Sequence, residues 1–357
     1  MKIHQLVAGF RGGDAISNTA VLMRDVFRSW GCESDIFCPH SCVAPYSRKH
    51  VRELATLEAD LNPKDIAILH LSIGCEANKV FPNLRCKKVI VYHNITPSRF
   101  FRLVSPSTAA VLDEGRNELK RLAGAADINL ADSPFNASEL AEAGYKDPKV
   151  LPLPIDLSSF TPGKCDLRSL NYDALDGHFN IVFVGRFAPN KKIEDLVNVL
   201  FYLTKIEPRV RLIHVGAISG MESYCAIVMA HASQLGLTNA YFMGPQSDAY
   251  LNACYSTAHA FLCMSEHEGF CAPLVEAMLY RIPVFARAAA AVPQTLGDAG
   301  VLFESPPDFP IIAETIAEVL HDQSLRDSIL ARQDKRIAEI RGRDLSGELK
   351  TLLASLL

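Results

Sequence analysis

No apolar run in the 357 residues approaches the roughly 20 that a helix needs to cross a bilayer, so a membrane-spanning helix is excluded. Nothing near Met1 reads as a signal peptide, because the stretch from Lys2 to Phe10 is only briefly apolar and then enters a glycine loop. The expected location is the cytoplasm. Neither sign of charge dominates: 36 Lys and Arg stand against 40 Asp and Glu, interspersed, for a net charge of −4. That removes the basic footprint of a duplex-binding protein, and no nucleic-acid partner is expected. The ten cysteines include no C-x-x-C pair, and Cys225, Cys254 and Cys263 sit inside apolar runs. They read as reduced, buried thiols and not as a disulfide framework. Cys38-Pro39-His40-Ser41-Cys42 lacks a second pair at ligand spacing, so it reads as a loop and not as a zinc site.

What the chain has is alternation. Short apolar runs over 2–8, 34–37, 66–71, 88–93 and 127–130 read as strands, with helical periodicity over 15–30 and 107–123. The plan repeats with strands over 181–184, 211–215, 240–242, 260–264 and 283–286 and helices over 193–203 and 221–235. The length is too great for one ordinary core and fits two α/β domains, each a doubly wound parallel sheet of Rossmann-like form. The expected division is 1–156, a linker over 157–177 containing Pro162 and Gly163, a second domain over 178–340, and a terminal helix over 341–357. The end of the chain from 310 is helical in pattern, with an amphipathic stretch over 311–320.

The most informative segment is Ser265-Glu266-His267-Glu268-Gly269-Phe270-Cys271-Ala272-Pro273-Leu274-Val275-Glu276. A buried strand precedes it, and a helix over 273–280 opens at Pro273. Glu268 then lies in the loop and Glu276 in the helix. Such a strand-to-helix loop presents free N–H groups and the positive end of a helix dipole, which favour phosphate. The plainer reading is an ordinary turn whose acids are solvated or capping.

A second segment ends an apolar strand in Gly185-Arg186 and continues Phe187-Ala188-Pro189-Asn190-Lys191-Lys192. The planar fork of an Arg and the point charge of a Lys suit neutralisation of a diphosphate leaving group. A surface turn with a solvated charge run is the alternative.

In that order and spacing, the two segments resemble the G-R-x-x-x-x-K and E-x7-E motifs of retaining glycosyltransferases of the GT-B type, family 4. The likeness is strong over 181–303 and looser before Pro152, and it is nearest to bacterial surface-polysaccharide mannosyltransferases. It implies that Glu268 contacts the donor sugar, Glu276 holds the ribose, and the turn through Gly269, Phe270, Cys271, Leu274 and Val275 helps bind the diphosphate. Arg186 and Lys191 become the diphosphate ligands, with Lys192 able to exchange roles with Lys191. His93, ending the strand Val91-Tyr92-His93, matches a family histidine near the transferred sugar, although a lone histidine there is more often structural. Gly12 and Gly13 match the family's first loop; by themselves they are a turn before a capped helix, and the third glycine of a dinucleotide fingerprint is missing. Gly244 and Pro245 match a loop beside the nucleobase. The proline-containing linker ending at Asp156, with Phe160 four residues on, also fits, and the last helix is expected to cross back to the first domain.

The implied reaction moves a hexosyl group, with mannose the first guess, from a nucleoside diphosphate sugar (GDP-mannose or a UDP-sugar) to a glycan or lipid-linked acceptor. No other cofactor is expected. No D-x-D pair follows a strand, so no obligatory metal is expected. Such acceptors imply possible peripheral association with the inner face of the plasma membrane, and the mixed aromatic and cationic run Arg99-Phe100-Phe101-Arg102 could touch acceptor or membrane or be an amphipathic turn. Departures from the family pattern are Lys192 and Cys271 where glycine is common, Ala288 to Ala291 in place of glycines, and Gln294 where Glu is frequent. A non-catalytic nucleotide-sugar-binding subunit and a GT-B sugar-nucleotide epimerase are the rival readings; a phosphorylase would need a much longer chain.

Overall fold

The computed structural model describes residues 1–162, 165–174 and 176–357; Gly163, Lys164 and Leu175, all in the expected linker, lie outside them. The chain divides into two compact units, one of Met1–Arg99, Pro106–Asp156 and Arg343–Leu357, the other of Phe100–Ser105 and Leu157–Gly342.

The first unit runs β1 (Ile3–Leu6), α1 (Ala15–Ser29), β2 (Ile36–Cys38), β3 (Arg52–Glu53), α2 (Leu57–Asp60), β4 (Ile66–Leu71), α3 (Glu76–Val80), β5 (Lys87–Tyr92), α4 (Pro106–Arg121), β6 (Ile128–Ala131), α5 (Pro134–Glu142) and β7 (Lys149–Val150). All seven strands are parallel, in the order β3-β2-β1-β4-β5-β6-β7. Strands such as β4 are buried at every position, because helices cover both faces of a parallel sheet. The Asp14 carboxylate caps α1 by accepting from the Ser17 N–H, and α1 buries Ala20, Met23 and Phe27 at helical spacing.

In the second unit β8 (Phe179–Val184), α6 (Ile193–Ile206), β9 (Val210–Val215), α7 (Glu222–Gln234), β10 (Ala240–Phe242), α8 (Asp248–Ser256), β11 (Ala260–Cys263), α9 (Ala272–Leu279), β12 (Val284–Arg287), α10 (Val292–Leu296), β13 (Val301–Phe303), α11 (Phe309–His321) and α12 (Gln323–Arg341) follow in turn. Its six strands are parallel in the order β10-β9-β8-β11-β12-β13. Helix α13 (Leu345–Leu353) then belongs to the first unit, where Leu349, Leu353 and Leu356 join Ile3, Met23, Phe27 and Ile66 in the core. The Trp30 indole N–H donates to the Ser346 hydroxyl at 2.9 Å.

Strands β3, β7 and β13 were not among the expected apolar runs, whereas helix α12 falls within the helical pattern expected from 310 on. β3 and β7 are two-residue strands of polar or exposed residues. Helix α12 is largely polar and packs against α9 through a sparse set including Ile329, Gln333 and Ile337. In open parallel sheets the binding crevice forms where strand order reverses. Here that is between β1 and β4 in the first unit and between β8 and β11 in the second.

Candidate active site

The two motif segments are the loops that leave β8 and β11, the pair flanking the reversal in the second sheet. Asn190 ties them together: its Nδ2 donates to the His267 carbonyl at 3.0 Å, and its own carbonyl accepts from the Glu266 N–H at 2.8 Å. Beside this seam the Lys191 ammonium donates to Glu268 Oε2 at 2.5 Å. Burial pulls the Lys191 ammonium down, but the Glu268 carboxylate outweighs it and holds the pKa above the ordinary lysine value. Lys192 instead pairs with Glu194 at 2.7 Å and takes a left-handed conformation, φ 53°. The geometry therefore puts Lys191 beside Glu268 and turns Lys192 away from it. Arg186 is exposed and, among the described residues, has no ion pair, which leaves its guanidinium for a ligand.

The strand ends beside Arg186 are unusually close. The Gly185 N–H donates to the Val215 carbonyl and the Gly216 N–H to the Gly244 carbonyl, both at 2.9 Å. A Cβ at Gly216 would stand 1.8 Å from the Gly185 oxygen, so only glycine fits. Gly244 is buried in this contact, whereas Pro245 is exposed.

Between Glu268 and Glu276 the chain turns through Gly269, Phe270 and Cys271. Cys271 caps α9 in the left-handed region, φ 70° and ψ 64°. Pro273 has no N–H, and the Leu274 N–H is spent on the Cys271 carbonyl at 3.1 Å. Leu274 and Val275 have fully buried side chains. These side chains anchor α9 in the core, whereas the role expected of both residues lies with their backbone N–H groups, of which that of Leu274 is already committed inside the turn. The Thr295 hydroxyl holds the Phe270 carbonyl. Glu276 lies half-buried on α9, where its Oε2 accepts from the Tyr255 hydroxyl at 2.6 Å. Burial raises the Glu276 carboxyl above its ordinary value, opposed by that hydrogen bond. Tyr255 is itself fixed by stacking on Tyr280, with ring centroids 5.2 Å apart.

In the first unit, Gly12 and Gly13 occupy the loop after β1, with Gly13 at φ 84° and open space where a Cβ would stand at either residue. His93 lies elsewhere, at the end of β5, inside a buried chain of side chains. Gln5 Oε1 meets His70 Nε2 at 2.9 Å, His70 Nδ1 meets His93 Nε2 at 2.7 Å, and His93 Nδ1 meets Asp132 Oδ2 at 2.8 Å. The polarity of the chain can be worked out. The Gln5 amide N–H donates to the Ala20 carbonyl, so its oxygen faces His70, and His70 must donate from Nε2. His70 Nδ1 then accepts from His93 Nε2–H, and one proton is shared between His93 Nδ1 and Asp132. Burial lowers His70 well below the ordinary histidine value and raises Asp132. Both His93 nitrogens are engaged by protein side chains, so a contact of the ring with a sugar would have to displace His70 or Asp132.

Asn190, Thr295 and Tyr255 were not singled out in the sequence. Asn190 stands next to Lys191 and was legible as a candidate; Tyr255 reaches Glu276 from α8, and no local pattern signals that.

Two doubly wound parallel sheets, with cationic and acidic loops at the second reversal, define a GT-B fold. Sucrose-phosphate synthase (tll1590) from Thermosynechococcus elongatus has the same fold, with a TM-score of 0.75 at 19% identity over 100% of this chain and 99% of that one. So has Anabaena Alr3699/HepE, solved in complex with UDP-glucose, at a TM-score of 0.73 and 19% identity over 100% and 99%. Residues 173–336 match the profile of the glycosyl transferases group 1 family. The O-antigen chain mannosyltransferase B of Escherichia coli is 27% identical over 58% of this chain and 55% of its own. The D-inositol 3-phosphate glycosyltransferase of Segniliparus rotundus is 29% identical over 52% of this chain and 42% of its own. The chain spans about half the length of these curated relatives.

Proposed function

We propose that the protein is a retaining, metal-independent glycosyltransferase that moves a hexosyl group from a nucleoside diphosphate sugar to a glycan or lipid-linked hydroxyl. The observation that carries this is the convergence of Arg186, Lys191 and Glu268 from two loops on one strand reversal, beside the α9 turn. Arg186, Lys191 and the Phe270, Cys271 and Ala272 N–H groups neutralise the diphosphate as the C–O bond to the anomeric carbon lengthens. Glu268, held by Lys191, accepts from sugar hydroxyls and supports the oxocarbenium-like centre. Glu276, steadied by Tyr255, takes the ribose. The departing phosphate accepts the acceptor hydroxyl's proton on the face it leaves, which retains the anomeric configuration. Mannose is the favoured sugar: O-antigen chain mannosyltransferase B is a relative, and so is a GDP-mannose-dependent alpha-mannosyltransferase of Mycolicibacterium smegmatis, 30% identical over 37% of this chain and 32% of its own.

The test is to present GDP-mannose, UDP-glucose and UDP-N-acetylglucosamine with oligosaccharide and lipid-linked acceptors, following nucleotide release and the anomeric configuration of product by NMR. One donor should be consumed with retention, and Glu268→Ala should abolish it. An inverted product, or rates equal in Glu268→Ala, contradicts the assignment.

A further inference from the structure

The donor turn carries two thiols that the proposed transfer does not use. Cys263 ends β11 and Cys271 caps α9, and their sulfurs lie 4.0 Å apart, both buried. Glu268 completes the group: one ligand atom from each of Cys263, Glu268 and Cys271 lies within 4.8 Å of the other two. Two thiolates on one tetrahedral zinc, each at about 2.3 Å, stand roughly 3.8 Å apart. The observed sulfur separation is close to that edge.

We propose that Cys263, Cys271 and Glu268 form a binding site for a thiophilic divalent cation of the zinc class, with the fourth position open. Charge supports the choice. Two thiolates and a carboxylate carry three negative charges, and a divalent ion with the Lys191 ammonium supplies three positive ones, so the loaded cluster is neutral in a buried place where net charge is costly. Glu268 has two oxygens, one to stay on Lys191 and one for the ion. Two thiol protons leave to solvent as the ion enters. A softer ligand set than the carboxylate and water shell that magnesium prefers makes this a site for zinc and not for a magnesium–diphosphate complex. Resting on the transferase reading, loading would take Glu268 from the donor sugar, so zinc would inhibit and a chelator would restore activity.

The site itself can be read without activity. Reduced, metal-free full-length chain is titrated with Co²⁺, following the near-ultraviolet sulfur-to-cobalt charge-transfer band, and then with Zn²⁺ to displace it. One equivalent should saturate the wild type. Cys271→Gly, which puts glycine at a positive φ and is expected to fold, should lose most of the band, and Cys263→Ala likewise. Glu268→Gln should keep a two-thiolate band with affinity weaker on the order of tenfold or more. No band at one equivalent, or a band of equal height in Cys271→Gly, overturns the proposal. A cobalt band in a chain that consumes no donor would sink the transferase reading and leave the site standing.

Discussion

At the residue scale, three of the positions that carry a side chain where the family the chain resembles commonly has glycine share a backbone feature, whereas Ala291, at φ −82°, does not. Lys192 at φ 53°, Cys271 at φ 70° and Ala290 at φ 51° all occupy the left-handed region, where a side chain is strained and glycine is not. Replacing Lys192 or Cys271 by glycine should therefore raise the denaturant midpoint with m unchanged, by about 0.5–1 kcal/mol each. A loss of stability would show that the side chains' packing outweighs the strain. Gly216 is the converse case. Gly216→Ala sets a methyl against the Gly185 oxygen and should cost about 3 kcal/mol or more, read from the same unfolding curves. His214 carries a pH signature. Burial among Phe183, Phe187 and Phe242 pushes it from 6.5 down to about 4. A folded pKa below the unfolded one means the contribution is intact above pH 6.5 and is lost as pH falls through 4. That loss is about 3 kcal/mol. Asp195, which burial raises from 3.8 to about 6, runs the opposite way: its contribution is present below 3.8 and lost as pH rises through 6. Wild-type stability alone would mix the two, so the check is the difference between wild type and His214→Phe. It should move in the variant's favour by about 3 kcal/mol between pH 7 and pH 4, and a flat difference would contradict the burial argument.

At the scale of elements, the strands and helices that place the site were legible because they are buried on both faces or carry a clean apolar stripe. β4, β8 and α6 fall within two or three residues of their expected bounds, and Glu268 and Glu276 divide between loop and helix as their spacing indicated. What was not legible depends on contacts far apart in sequence. The spent N–H of Leu274, the Tyr255 bond to Glu276 and the commitment of both His93 nitrogens to His70 and Asp132 arise only when separate elements meet. One consequence is measurable. Tyr255→Phe removes the hydroxyl that steadies Glu276 and should weaken nucleoside diphosphate binding by a few fold, about 1 kcal/mol, in calorimetry. Unchanged affinity would take Glu276 out of the binding site. A second concerns α13. Leu353→Ala empties a fully buried place in the first unit and should destabilise it by about 2–4 kcal/mol.

At the scale of the molecule, each of the two parallel sheets has one strand reversal, and that of the second gathers Arg186, Lys191, Glu268 and the α9 turn. On the proposed transferase reading, these cationic groups take the place of a metal at the diphosphate, so donor turnover should survive a strong chelator; loss of activity in EDTA that magnesium restores would refute metal independence. The transferase reading is tested most directly by calorimetric titration of the protein with GDP and with UDP, repeated on Arg186→Ala. It predicts saturable binding of one nucleotide at one site, weakened about 10- to 100-fold by the substitution, the worth of a hydrogen-bonded charge contact. Binding of neither nucleotide, or equal affinity in Arg186→Ala, would contradict it.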